Sequence, residues 1–450
     1  MLFAQEEKDV GVVTQQLASE RQVQQVAATA KKSQSLEKFE KITFEDVLKD
    51  PDNIDLNFRY AQQQIVDNNL LGAASTLERI LIVNKDLPKA RLFYAIVLFR
   101  LDNMNEAERE LNLLDNVEMP DSLREEVKAF REKIQLRQKK VRIAIRETVG
   151  YQIDDNRNAA PSSKKRLFGN APLDLTGTNK KRRDTSFINV TSVDMVRDLG
   201  FQAGHELFTN LTYFLQEQTM ADDLDLSAHS YTVGFNLKHP LLNLSPSFTG
   251  SHMFLSRESF LRSQAFNLSA HRNFKGKLDV VSAFKIERQD YLPVTEAITV
   301  TQRNGDEKQW TLDAAYSLTP TTRISGGIGY ANKHAKEDIN AYERLSMRTA
   351  HTWLVGKGQF LINSLDVGFD NYDEIDTAIA GRRRRDKTLR YRMTYGAPVT
   401  FLLVGKLLPR PLKDITVTVT YEYYRSLSNI TNFTYRNNKF QLLLLKKWEF

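Results

Sequence analysis

An α-helical domain followed by a transmembrane antiparallel β-barrel of about 14 strands is the fold class this sequence predicts. Three observations predict it. Between residues 44 and 140 apolar side chains recur at helical spacing. From residue 141 to the last residue the pattern changes to alternation, in segments of roughly 10–16 residues. The connections between those segments alternate long and short, as they do in outer-membrane barrels. The expected division is a flexible leader over 1–43, a helical domain over 44–140 and a barrel over 141–450.

Composition narrows the class first. The 450 residues are 41% hydrophobic, 10% aromatic and 26% charged, with a mean hydropathy of −0.44. No apolar run is long enough for a transmembrane helix. The net charge of +7 would allow a nucleic-acid partner. The basic residues cluster in a few short loops, however, so no nucleic acid is expected. Cysteine is absent, which excludes thiolate metal sites, thiol nucleophiles and disulfides. The start MLFAQEEKD resembles the tail of a signal peptide cut after a small residue, carrying a start Met.

The leader, residues 5–42, is rich in Gln, Glu, Lys and Ala with weak periodicity. The helical stretches that follow begin at Pro88 and Pro120 in two cases, where a missing N–H costs nothing. They break at Asn68, Asn69, Asp102 and Asn103. Tyr60/Tyr94, Ala61/Ala95, Ile65/Phe99, Asn69/Asn103, Ala73/Ala107 and Leu77/Leu111 are matched at a spacing of 34, the tetratricopeptide period. Small residues at matched positions let paired helices approach, and large ones fill the groove between them. Arrays of this kind present a concave face to a peptide or protein.

The strands alternate polar and apolar residues. In WTLDAAYSL, Trp310, Leu312, Ala314, Tyr316 and Leu318 share one face, and Thr311, Asp313, Ala315 and Ser317 the other. A barrel shows lipid only every second side chain, so a chain of negative mean hydropathy can still span a membrane. Closure satisfies the backbone groups that lipid cannot. Tyr151, Tyr330, Tyr372 and Tyr424 fall near strand ends, as an aromatic girdle requires. Two connections break the long–short rule: SRE at 256–258 is short, and 397–412 is long and apolar where a turn is expected. The latter is placed to cap the lumen from below or to lie against the membrane. The closing strand QLLLLKKWEF divides its leucines between the two faces. Trp448 and Phe450 then stand at the periplasmic interface as a barrel-assembly signal. Lys446 is the misfit, a cation on the lipid face whose stem can carry it toward headgroups.

Catalytic signatures are missing. The histidines at 205, 229, 239, 252, 271, 334 and 351 are scattered, with no HExxH, and His205 is expected to face the lumen. SGGIGY lacks the helix a phosphate loop needs and reads as a strand bend or close packing point. No GxSxG occurs. The expectation is a non-enzyme without cofactor or metal. Lys164, Lys165 and Arg166, then Lys180 to Arg183, form one basic external loop; Arg382, Arg383, Arg384 and Arg385 form a second. They suit either lipopolysaccharide phosphates or an acidic exported client.

Taken together, the repeat stretch NNLLGAASTLERILIVNKDLPKARLFYAIVLFRLDN, the segment YQIDDNRNAAP just after the first strand, and a barrel of about 14 strands resemble the surface lipoprotein assembly modulators, or Slam proteins. The resemblance covers roughly residues 44–450. It implies an outer-membrane translocon that exports specific clients, lipoproteins or secreted haem- and metal-acquisition proteins, to the cell surface or medium. It also implies a periplasmic helical domain, and periplasmic chaperones and the barrel-assembly machinery as partners. The helical domain would recruit client or chaperone, with Arg59, Gln62, Arg91 and Arg100 on its concave face. The protein would act as a monomer. No nucleotide site is present, so client folding at the surface would supply the energy. An exporter of surface polysaccharide and a host-association adhesin or porin are the competing readings.

Overall fold

The computed structural model describes residues 42–450 apart from 68, 116, 202, 275, 296–297, 404–411 and 413. Nearly all of the leader, and half of the apolar stretch 397–412, therefore lie outside the described residues. The chain divides into two compact units near residue 142.

The first unit is helical: α1 (Phe44–Lys49), α2 (Ile54–Val66), α3 (Leu70–Val83), α4 (Pro88–Arg100), α5 (Met104–Asn112) and α6 (Asp121–Gln138). Local chemistry sets the boundaries. Thr43 and Asp46 make a reciprocal capping box on α1. Asn53 and Asn69 accept from the backbone amides of Leu56 and Gly72 to cap α2 and α3. Pro88 opens α4, and Asp102 takes a left-handed φ of 64° to turn the chain after it. Helices α2 and α4 begin 34 residues apart, and so do α3 and α5. The matched residues Ala61, Ala73, Ala95, Ala107, Leu77 and Leu111 are all fully buried. Repetition in sequence is thus repetition in packing. Leu77→Ala should cost about 2–5 kcal/mol through the cavity it leaves. The expected result is faster proteolysis within 44–138, with the heat-modifiable migration of the barrel unchanged.

The second unit is a closed antiparallel barrel of 14 strands. They are β1 (Val141–Asp154), β4 (Asp184–Asp198), β5 (Glu206–Gln218), β6 (Leu226–Asn236), β7 (Asn243–Leu255), β8 (Glu258–Phe274), β9 (Leu278–Tyr291), β10 (Gly305–Thr319), β11 (Thr322–Ala335), β12 (Tyr342–Gly356), β13 (Gln359–Tyr372), β14 (Arg385–Pro398), β15 (Thr416–Ser428) and β16 (Tyr435–Glu449). Sequential neighbours pair throughout, and β1 closes the ring against β16, with Ala144–Asp154 facing Glu449–Lys439. A short hairpin, β2 (Lys165–Phe168) and β3 (Ala171–Asp174), stands in the first connection. The sequence pattern did not foreshadow it. Its turn uses Gly169 and Asn170, both with positive φ.

Side chains alternate as the pattern required. Trp310, Leu312, Tyr316 and Leu318 point outward and are exposed, at 37–54%. Leu442 and Leu444 are exposed on β16 whereas Leu443 is buried. Tyr151 and Tyr330 also face outward. Tyr372 and Tyr424 do not join the girdle: both share the inward parity of their strands, and Tyr424 is buried against Tyr435. Lipid-facing parity, not nearness to a strand end, decides membership of the girdle. His205 is likewise corrected. It sits in the β4–β5 turn, where its Nδ1 accepts from the Lys238 amide, and lines no lumen.

One rim carries the connections 155–183, 219–225, 256–257, 292–304, 336–341, 373–384 and 429–434; we call it the loop rim. The other, the turn rim, carries 199–205, 237–242, 275–277, 320–321, 357–358 and 399–415, together with the start of β1 and the end of β16. Ser256 and Arg257 make the expected short exception, a two-residue turn with φ of 46° and 67°.

Candidate functional site

The luminal wall has two characters. On β4 to β8 it is apolar near the loop rim: Ile188, Val190, Phe214, Leu226, Met253, Leu255 and Leu261 form one buried cluster. Val294 and Val300, from the β9–β10 connection, fold inward to complete it. Glu258 anchors that connection by accepting from the Thr295 amide (2.8 Å) and hydroxyl (2.6 Å). On β9 to β15 the wall is charged, and acids bond arginines one or two strands away. Arg323 donates to Asp279 (2.6 Å), Arg344 to Asp370 (2.7 and 2.9 Å), Arg392 to Glu422 (2.5 Å) and Arg348 to Asp313. A Cβ on Gly327 would meet Asp313 Oδ1 at 2.0 Å. The glycine run in SGGIGY therefore makes room for the Asp313–Arg348 pair. A cavity of about 530 Å³ opens among these groups, lined in part by His271, Asp313, Arg348, Asp366 and Arg392.

The loop rim is capped. The segment Asn156–Pro161, part of the YQIDDNRNAAP stretch, is buried. Asn156 closes it as a loop: its side chain accepts from the Ala160 amide (3.0 Å) and donates to the Ala160 carbonyl (3.1 Å). Ala159 packs against Tyr424 and Tyr435 with a left-handed φ of 51°. Arg157 is 2% exposed and donates to the Leu224 carbonyl (3.0 Å) in the β5–β6 connection. Arg182 grips Asp223 with two bonds of 2.6 Å, and that carboxylate holds the guanidinium above its usual range. Burial works against the Asp155 carboxylate. Bonds from Asn438 and Lys181 outweigh it and leave the pKa lowered. Asn432 exchanges two bonds with the backbone of Leu167, and Ser162 N–H donates to the Thr434 carbonyl (2.9 Å). The first connection is thus tied to those between β5–β6, β13–β14 and β15–β16.

The basic loops meet although they are over 200 residues apart. Gly169 and Asn170 donate to the carbonyls of Ala378 and Ile379, and Gly381 donates to the Asn170 side chain. Lys164, Lys165, Arg166, Arg382, Arg383 and Arg385 are exposed. Arg384 is not part of that surface. It turns inward, bonds Asp386 (2.9 Å) and lies over the Phe433 ring at 3.4 Å. In the helical unit the four candidate contact residues are not one group. Arg59 is exposed and Gln62 half-buried. Arg91 bridges to Glu110 (2.5 Å) and the Lys85 carbonyl, and Arg100, its pKa lowered by burial, reaches the Ile65 carbonyl (3.5 Å). Trp448 on β16 and Phe450 just after it are exposed, and the Lys446 ammonium lies 5.0 Å from the Trp448 ring centre. Sequence reasoning placed Asp313 on the inward face but missed the other luminal acids and the cap. Alternation could have flagged Asp279, Asp370 and Glu422 as inward-facing too, but not their partners.

No curated protein is matched by the sequence. Among solved structures the chain is similar to Pseudomonas aeruginosa OpdQ (11% identity, 69% of this chain and 99% of that one, TM-score 0.33). It is also similar to the outer membrane channel DcaP of Acinetobacter baumannii (8%, 68% and 97%, TM-score 0.39). Over 21% of its length it is similar to the Yersinia enterocolitica type III secretion chaperone SycD, solved with a peptide of the translocator YopD (16%, 76% of that chain, TM-score 0.20). The family model described as surface lipoprotein assembly modifier matches residues 144–450. That match takes in the barrel from the fourth residue of β1 onward, with the capping segment and the closing strand, and the chain accordingly belongs to the surface lipoprotein assembly modifier family.

Proposed function

We propose that this protein is an outer-membrane translocon that delivers lipoprotein clients to the cell surface, with its helical domain in the periplasm recruiting client or chaperone. The observation that carries the reading is the capped lumen. A passive pore would stay open, whereas here residues 156–161 of one long connection are buried in the mouth, and that connection is hydrogen-bonded to three others. Those bonds are exchangeable, so an arriving polypeptide can replace them one by one. The charged wall suits passage of a polypeptide as well. Asp279, Asp313, Asp370 and Glu422 already have arginine partners, so an extended chain meets a surface that hydrates it without holding it. A polysaccharide exporter would be better served by acidic rings without such partners. The loop rim is then extracellular and the turn rim periplasmic. The basic apron of Lys164, Lys165, Arg166, Arg382 and Arg383 faces lipopolysaccharide or an emerging acidic client. Client folding outside drives transport, and no catalysis or cofactor enters the reading. Deleting residues 1–140 tests it. Surface display of a co-expressed lipoprotein client, scored by added protease, should fall severalfold at equal barrel levels. Unchanged display would remove the helical domain from the mechanism.

A further inference from the structure

Strand parity places the odd residues of β1 and β4, and the even residues of β16, on the lipid side. Exposed Tyr151 and Ile153 on β1, and Leu442 and Leu444 on β16, share that parity; buried Thr148, Gln152, Ile188, Val190 and Leu443 have the opposite one. By the same parity Glu147, Asn189, Thr191 and Lys446 face hydrocarbon. They stand together. Glu147 is the register partner of Lys446. Its carboxylate accepts from the Thr191 hydroxyl at 2.7 Å and from the Asn189 amide. On each strand the patch interrupts an apolar column, between Ile145 and Val149 on β1 and between Phe187 and Val193 on β4. It spans β16, β1 and β4, where the two ends of the barrel sequence close the ring.

Polar groups on a lipid face carry a cost that hydrogen-bond partners reduce. The Asn189 amide has a second N–H beyond the one given to Glu147, and hydroxyl and carboxylate oxygens keep acceptor sites. We propose that this patch binds the amide-and-ester linkage of an acylated polypeptide. The inference rests on the export reading above and deepens it. The acyl chains of such a client gain nothing by leaving hydrocarbon for a lumen walled on one side, β9 to β15, by ion pairs, so they travel in the bilayer along the outer wall. The linkage is the part that hydrocarbon rejects. One of its carbonyls accepts from the second Asn189 N–H, and its amide N–H donates to Glu147. The patch thereby offers a polar step partway through an otherwise apolar crossing.

The test replaces the patch by apolar residues: Glu147→Leu, Asn189→Leu, Thr191→Val and Lys446→Leu together. Display is compared for one client in two forms, acylated and with its acylated cysteine replaced. We expect at least tenfold less display of the acylated form, and parental display of the other. Parental display of both forms overturns the proposal, and so does equal loss of both. A parent protein that displays neither form sinks the export reading itself. Should the fourfold variant fail to assemble, Ile145→p-benzoylphenylalanine in the otherwise unchanged protein is the second arm. On illumination it should capture the acylated client. Capture of only another membrane protein would show a protein interface there and overturn the proposal.

Discussion

Oxidation of a Ser162→Cys/Thr434→Cys pair is expected to abolish client display, and a reductant to restore it. The Ser162 N–H donates to the Thr434 carbonyl at 2.9 Å, so the two Cα atoms fall within the span of about 4.4–6.8 Å that a disulfide bridges. Both side chains are small, and the natural chain has no cysteine to compete. The staple would tether 155–161 at both ends, by β1 on one side and by the β15–β16 connection on the other. If clients leave through the loop rim, that segment must swing out. Full display by the oxidised protein, with the cross-link verified on a gel, would mean that the capped mouth is not the route.

The second large effect is expected at Glu422. This residue is 5% exposed and stands across from Arg392 on β14 and from Lys439 on β16, with Arg390 at 3.8 Å. Glu422→Ala leaves three cations around a vacated site. Removing one partner of a buried pair costs about 3–5 kcal/mol, because the other charge stays desolvated. The check is the urea midpoint of the barrel refolded into lipid vesicles. Adding Arg392→Leu should recover part of the loss, since it removes a cation that Glu422 neutralised. A shift below about 1 kcal/mol, the scale of exposed pairs, would show that luminal water screens the site.

Much of this architecture is written in short-range pattern. Alternation alone assigned the outward face of β10 and split the four leucines of β16 correctly, because a strand's side-chain direction is fixed by the pleat. Six of the twelve positions matched by the 34-residue spacing are fully buried. Local pattern misleads where the answer depends on chain outside the strand. His205 reads as luminal because its neighbourhood looks like strand, yet it belongs to a turn. Arg384 looks like its neighbours in the run RRRR, but the rings of Phe433 and Tyr372 and the Asp386 carboxylate draw it inward.

Lys446 shows the division most clearly. The sequence by itself determined that a lysine would face lipid near the end of the closing strand, since parity is local. It could not show that Glu147 lies directly across, or that Thr191 and Asn189 complete the patch. Those residues are far apart along the chain and meet only because the first and last strands pair in one register. The same holds for the cap and the luminal ion pairs. Helix period, strand count and face follow from backbone geometry that each residue carries with it. Partners across the ring, and the seat of a long connection in the mouth, are set when the barrel closes and brings distant side chains to hydrogen-bonding distance.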